Sequence, residues 1–281
     1  MKIIVRHPST LLEYLYEALA PQSRTSIRSL LTHSGISVNG QITTAFDHPL
    51  AEGDCIITGA ARKEKQIDRR LKIVYEDRWL IVADKTNGLP AISTGKENEV
   101  TAYSILYDYV RSSGDGSRIF IVHRLDRDTS GIMVFAKDES TKRLLQENWN
   151  EAVTERKYTG VAEGRLPETD GEIVSWLKEN PKSLKMSAVP YDNGGKKAVT
   201  SYHLAGFRKG LSLVEITLET GRKNQIRVQF AAIGHPIAGD KKYGAQTNPF
   251  GRLALHASVL EFRHPHTGKT MRFVSPAPFR L

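Results

Sequence analysis

Ala60 to Arg70 reads AARKEKQIDRR, a short charged run with no hydrophobic period, and this break constrains the fold more than any other feature of the chain. Such a segment joins units that fold on their own, so the chain is expected to divide into residues 1–60, a linker over 61–70 and residues 71–281. With 281 residues, 40% of them hydrophobic, there is enough chain for one large domain plus a small one. No apolar run approaches the length of a membrane span, and the stretch from Met1 to Pro8 is too short and too soon broken for a secretory signal. A cytoplasmic address is therefore expected. One cysteine, Cys55, excludes an intramolecular disulfide and a multi-cysteine zinc site.

Within the first unit, Thr10-Leu11-Leu12-Glu13 offers an N-cap with a glutamate three residues on, and Leu11, Leu12, Leu15, Ala18 and Leu19 recur at helical spacing. A second helix is expected from Ser23 through Leu31, stopping near Gly35. An alternating strand with an Asn39-Gly40 turn follows, then Leu50 to Asp54 leading into Cys55-Ile56-Ile57. The second unit alternates short apolar strands at Leu71–Tyr75, Trp79–Ala83, Ile132–Ala136 and Leu211–Leu218 with helical stretches at Thr101–Arg111 and Glu139–Trp149. This pattern reads as α+β. Arg222 to Ile233 is expected to be helical, with Ile226, Phe230 and Ile233 inward.

Candidate chemistry centres on His123-Arg124-Leu125-Asp126-Arg127-Asp128-Thr129-Ser130-Gly131, which follows the apolar run Ile119 to Val122. Neighbouring arginines favour the charged form of an acid, so Asp126 is a candidate nucleophile, although interleaved acids and arginines also describe a solvated salt-bridge face. Arg124, two residues before Asp126, would project to the same side of an extended segment. Nothing adjacent gives His123 a proton to move, and it is read as structural.

The stretch HRLDRDTSG resembles the signature of the RluA-type pseudouridine synthases, and similar segments follow in the family's order. They are Arg156-Lys157-Tyr158, Thr220-Gly221-Arg222-Lys223-Asn224-Gln225-Ile226-Arg227, Gly234 to Asp240, Tyr243-Gly244 and Arg252 to Ala257. An ordered set of motifs is far more specific than any one of them. The resemblance spans Leu71 to the C-terminus and implies a mixed, mainly antiparallel sheet of the pseudouridine synthase type. It also implies that Asp126 is the catalytic carboxylate, that Arg227 pairs with it, and that Tyr158 lies against the target base. Arg124 then helps fill the space left when the nucleotide leaves its helix. Charge and geometry support the pairing, since an arginine fork can bind a carboxylate through two parallel hydrogen bonds. The chain departs from the family at Asn224 and Gln229, where histidines are usual, and at Thr86, where proline is expected.

Two short helices followed by a hairpin carrying Val38-Asn39-Gly40 resemble the S4-like RNA-binding domain, an αα-hairpin unit in which the second helix faces folded RNA. Arg24 and Arg28, four apart, fall on one face of that helix. A net charge of +9 favours polyanionic partners, and Lys241, Lys242 and Arg252 are expected to add to the basic RNA-facing surface. Isomerising uridine involves no redox step, so no cofactor and no metal are expected. The implied partner is RNA, ribosomal more than transfer RNA, with no membrane association and a monomeric protein. Two other readings stay open: a non-catalytic RNA-binding protein on the same fold, and a magnesium-dependent aspartate-based phosphatase using Asp126, Asp128 and Ser130. His264-Pro265-His266 lacks acidic partners nearby in sequence and is read as a surface turn with Thr267-Gly268, not a metal site.

Overall fold

The structure, a computed structural model, describes residues 2–32, 35–58, 67–93, 95, 97–112, 118–192 and 194–281. Its contacts divide the chain into two compact units, Met1–Gln66 and Ile67–Leu281. Residues 61–66 of the expected linker lie outside the described residues. The rest of that stretch belongs to the larger unit: Ile67 packs on its core, and Arg70 pairs with Asp68 at 2.7 Å.

The smaller unit contains β1 (Lys2–Ile4), α1 (Leu11–Ala18), α2 (Arg24–Thr32), β2 (Ile36–Val38), β3 (Gln41–Ile42) and β4 (Cys55–Thr58), with sheet order β1-β4-β2-β3. Leu11 and Leu15 of α1 bury against Ile27 and Leu31 of α2 and against Ile36 and Ile56 of the sheet, which accounts for the helical spacing of those residues. The β2–β3 turn takes Asn39 at φ 50° and Gly40 at φ 81°, the left-handed pair that a two-residue hairpin needs. Thr10 precedes α1 but does not cap it with its side chain. Its hydroxyl donates to Glu13 Oε2 at 2.9 Å instead of accepting a backbone N–H.

The larger unit contains β5 (Leu71–Glu76), β6 (Leu80–Lys85), α3 (Ala102–Arg111), β7 (Phe120–Ile121), β8 (Ser130–Ala136), α4 (Glu139–Glu147), α5 (Trp149–Ala152), β9 (Val153–Glu163), β10 (Asp170–Glu179), β11 (Met186–Val189), β12 (Lys196–Arg208), β13 (Leu211–Leu218), α6 (Gln225–Ala232), β14 (Leu255–Arg263) and β15 (Thr270–Val274). An 11-stranded sheet runs β11-β10-β12-β13-β9-β14-β8-β6-β5, with β15 on β14 and β7 on β8. Pairing is antiparallel except between β8 and β14, so the unit is α+β on a mixed, mainly antiparallel sheet. Strands β6 and β8 are apolar over Leu80–Ala83 and Ile132–Ala136 because both faces are covered there. Ile81, Ala83, Met133 and Phe135 pack under α3, while Leu80, Val82, Ile132 and Val134 face Leu145 of α4.

At the parallel β8–β14 junction, Gly131 has φ +116°, and a Cβ there would lie 2.2 Å from the Ala257 carbonyl oxygen. Only glycine permits this approach, which brings the segment before β8 up to β14. The stretch expected as one helix from Glu139 to Trp149 breaks at Asn148 (φ −105°, ψ 20°) into α4 and α5. Helix α6 begins at Gln225 rather than Arg222 and is buried on all sides from Gln225 to Phe230. Ile233 lies past its end and is 38% exposed, contrary to the inward position expected of it, because the chain turns away at Gly234 (φ +83°). None of the helices among the described residues is long and apolar enough to cross a membrane.

Candidate active site

The loop from His123 to Thr129 is pinned at both ends. Leu125 inserts into the core under α3, Thr129 is buried, and the Thr129 N–H closes a turn on the Asp126 carbonyl at 3.2 Å. Beneath it lies Lys85 at the end of β6, only 1% exposed, whose ammonium donates to the carbonyls of Thr86 (3.0 Å), Leu89 (2.7 Å) and Arg127 (3.0 Å). Burial pushes this amine down to about 7, against the opposing pull of the Asp128 and Asp126 charges. With its backbone fixed, the Asp126 side chain points into a cavity of about 500 Å³ lined also by Arg124, Tyr158, Asn224 and Arg227.

Arg227 reaches Asp126 from α6, its Nη1 lying 3.2 Å from Oδ2. The two-pronged grip expected on Asp126 goes elsewhere. Nε and Nη2 donate to Asp240 Oδ2 and Oδ1 at 2.7 and 2.8 Å, and the Asp240 side chain is only 1% exposed. Burial alone would lower the guanidinium pKa, but hydrogen bonds and charge from Asp240, then from Asp126, raise it on balance. The arginine is therefore locked in its charged form between two carboxylates of different kinds.

Asn224, just before α6, adopts a left-handed conformation at φ 54°, which asparagine tolerates better than most residues. Its Nδ2 donates to Asp126 Oδ2 at 2.5 Å, and its Oδ1 accepts from the Tyr243 hydroxyl at 3.1 Å, which fixes the orientation of the amide. Both donors thus converge on Oδ2. Among the described residues none donates to Asp126 Oδ1, and the side chain stays 23% exposed.

Tyr158 sits on β9 opposite Ala257 of β14 and lines the same cavity. Burial pushes its phenol up to about 12, so near neutrality it keeps its proton. Two places before it, Arg156 donates to the carbonyls of Leu218 (3.1 Å) and Glu219 (3.0 Å) and also lines the cavity. His123 accepts the Val134 N–H at 3.1 Å through Nε2, and burial holds it neutral, down to about 3.

The remaining candidates are distributed differently. Arg124 is exposed on the cavity wall with no hydrogen-bond or ion-pair partner among the described residues. Lys241 and Lys242 are exposed on the 3-10 turn Lys241–Tyr243, and Lys242 lies over the Tyr243 ring. Arg252 is not the surface cation expected. Its guanidinium turns inward to donate to Ser130 Oγ at 2.6 Å, and that hydroxyl pairs with His256 Nδ1 at 2.7 Å. Ser130 is thereby buried in a structural network and not presented beside Asp126, as the phosphatase reading would need. Arg24 and Arg28 are exposed on α2 of the smaller unit, and Arg24 stacks over the Tyr16 ring at 5.1 Å. His264 is buried, not part of an open turn: its Nε2 meets Asp77 at 2.9 Å and its Nδ1 accepts two backbone N–H groups.

Asn224, Asp240 and Tyr243 were missed as functional residues by sequence reasoning. A signal existed for Asp240, since an arginine between Ile226 and Val228 in a buried helix demands a buried counter-charge nearby.

Residues 79–232 match the family model described as RNA pseudouridylate synthase. An uncharacterised RNA pseudouridine synthase of Bacillus subtilis, YlyB, is 36% identical over 269 residues, covering 91% of this chain and 86% of its own. Ribosomal large subunit pseudouridine synthase D of Zymomonas mobilis is 36% identical over 278 residues, again covering 91% of this chain and 86% of the relative. Among solved structures, human RNA pseudouridylate synthase domain containing 4 aligns at TM-score 0.59 and 25% identity, over 74% of this chain and 88% of that one.

Proposed function

The chain belongs to the RNA pseudouridylate synthase family and is an RNA pseudouridine synthase, and on that premise we propose that Asp126 is its catalytic carboxylate and large-subunit ribosomal RNA its substrate. One observation carries the first part. Two donors, Asn224 and Arg227, grip a single oxygen of Asp126, leaving the other without a donor among the described residues in a side chain that lines a cavity of nucleoside-binding dimensions. A carboxylate so held can add through the open oxygen to the anomeric carbon or to the base ring, or stabilise a cation while a sugar proton leaves. The bond from uracil nitrogen 1 to the ribose breaks, the base turns, carbon 5 bonds to the anomeric carbon, and carbon 5 gives up its proton while nitrogen 1 takes one up, so that the product is an isomer.

Tyr158 is the surface on which the uracil stacks, its phenol kept protonated, and Arg124 enters the RNA stack left by the flipped nucleotide. Support for a ribosomal substrate comes from relatives in Zymomonas mobilis and Escherichia coli that are named ribosomal large subunit pseudouridine synthase D. The smaller unit is read as an S4-like module that docks RNA through Arg24 and Arg28, with Lys241 and Lys242 adding charge beside the cavity. A protein with this substrate works in the cytoplasm. Pseudouridine mapping of total RNA from cells with and without the gene tests the reading. Loss of specific pseudouridines from large-subunit ribosomal RNA is expected, and an unchanged map overturns it.

A further inference from the structure

The cavity is walled by more than the reacting centre. One end holds Asp126, Tyr158, Asn224 and Arg227, and the other is walled by Gln146, Trp149 and Asn150 from α4 and α5. Arg156 lines the cavity too. At the far end Trp149 packs partly on the core, and its ring meets the neutral His123 imidazole at 4.8 Å. The indole N–H and the Asn150 amide have no hydrogen-bond partner among the described residues. Gln146 donates its amide N–H to the carbonyls of Ile121 (3.2 Å) and Val122 (3.0 Å), leaving its side-chain oxygen as an open acceptor.

We infer that the Trp149 end is a second nucleotide subsite, in which an unpaired RNA base neighbouring the target stacks on the indole and is read by Gln146 and Asn150. The chemistry fits a nucleobase closely. An aromatic face with open donors and an open acceptor around its rim suits a planar, hydrogen-bonding ring. Flipping one nucleotide frees its neighbour from stacking, so such a base is available only in the bound complex. This inference rests on the assignment of the reacting end to Asp126, and it names a source of sequence context for that site.

Three variants of the full chain test it, with total RNA from cells lacking the gene as substrate and pseudouridine formation followed against RNA concentration. Trp149→Leu keeps an apolar side chain of useful bulk but loses the aromatic face. It should raise KM roughly tenfold and leave kcat within about twofold, in line with the loss of one base stack. Trp149→Phe should bring KM back to within about threefold of the wild type. If Leu and Phe behave alike, whether both harmless or both damaging, Trp149 is a packing residue and the subsite falls. Asp126→Asn separates the two claims: full activity in that variant would overturn the reacting-end assignment and leave the split between Phe and Leu to be judged alone.

Discussion

Arg227 holds two carboxylates in opposite ways. On one side Asp240 is sealed in the interior and takes both prongs of the guanidinium. On the other, Asp126 stands on a loop, receives one contact from the arginine at 3.2 Å, and stays 23% exposed with its second oxygen free of donors among the described residues. The saturated pair is an anchor, and the unsaturated one is, in the function proposed above, the reagent. A group that must react has to be held without being used up in hydrogen bonds, so the arginine is first fixed by a partner that does nothing else. Reorganisation during the reaction is thereby kept small.

Breaking the anchor should have the largest effect on the molecule. Asp240→Ala leaves a charged guanidinium buried with its Nε and Nη2 donors unpaired, and we expect destabilisation by about 3–5 kcal/mol in denaturant unfolding of the larger unit. A loss below about 1 kcal/mol would mean that Arg227 finds another partner and that the two carboxylates are not distinct. A smaller effect is expected on the reagent side. Asn224→Ala leaves Asp126 gripped by Arg227 alone and should lower kcat roughly tenfold with little change in KM, as for one hydrogen bond to a charged group. An unchanged kcat would show that the amide is not needed to position Asp126.

Smaller still is the pH response of the loop that carries Asp126. Folding lowers the Lys85 pKa from 10.5 to about 7. Above that value the folded protein has released a proton that the unfolded chain still binds, so this group adds stability as pH rises from about 7 toward its unfolded value. Comparing the wild type with Lys85→Met between pH 7 and 8 isolates the effect. The wild type should gain on the variant by at most about 1.4 kcal/mol over that unit, and a gain in the opposite direction would contradict the burial argument.

Much of this arrangement was legible in the chain. The runs Leu80–Ala83 of β6 and Ile132–Ala136 of β8 declared themselves because burial on both faces leaves them no polar positions. The apolar neighbours of Arg227 in its helix agreed with a buried counter-charge, and the approach of Arg227 to Asp126 was readable from the resemblance of both segments to the family's motifs. Its division between two acids was not, because hydrophobic periodicity carries no information about which carboxylate sits deeper. Asn224 stood out in the sequence only as a departure from a familiar pattern. Its role depends on a left-handed backbone and on Tyr243, neither of which has a local signature. Helix ends failed for a similar reason. The apolar spacing continues through Ile233, but the chain turns at Gly234, and tertiary packing decides where the last turn stops. Arg252 was misread because charge alone does not separate a solvated cation from one folded against Ser130.

Replacing Asp126 by asparagine keeps the size and nearly all the contacts of that side chain while removing its charge and its nucleophilic oxygen. Returned to cells lacking the gene, this variant should bind RNA and fold like the wild type yet restore none of the missing pseudouridines, a drop on the order of a thousandfold or more in rate. If the asparagine variant restores the wild-type map, Asp126 is not the reacting group, and the distinction between anchor and reagent fails with it.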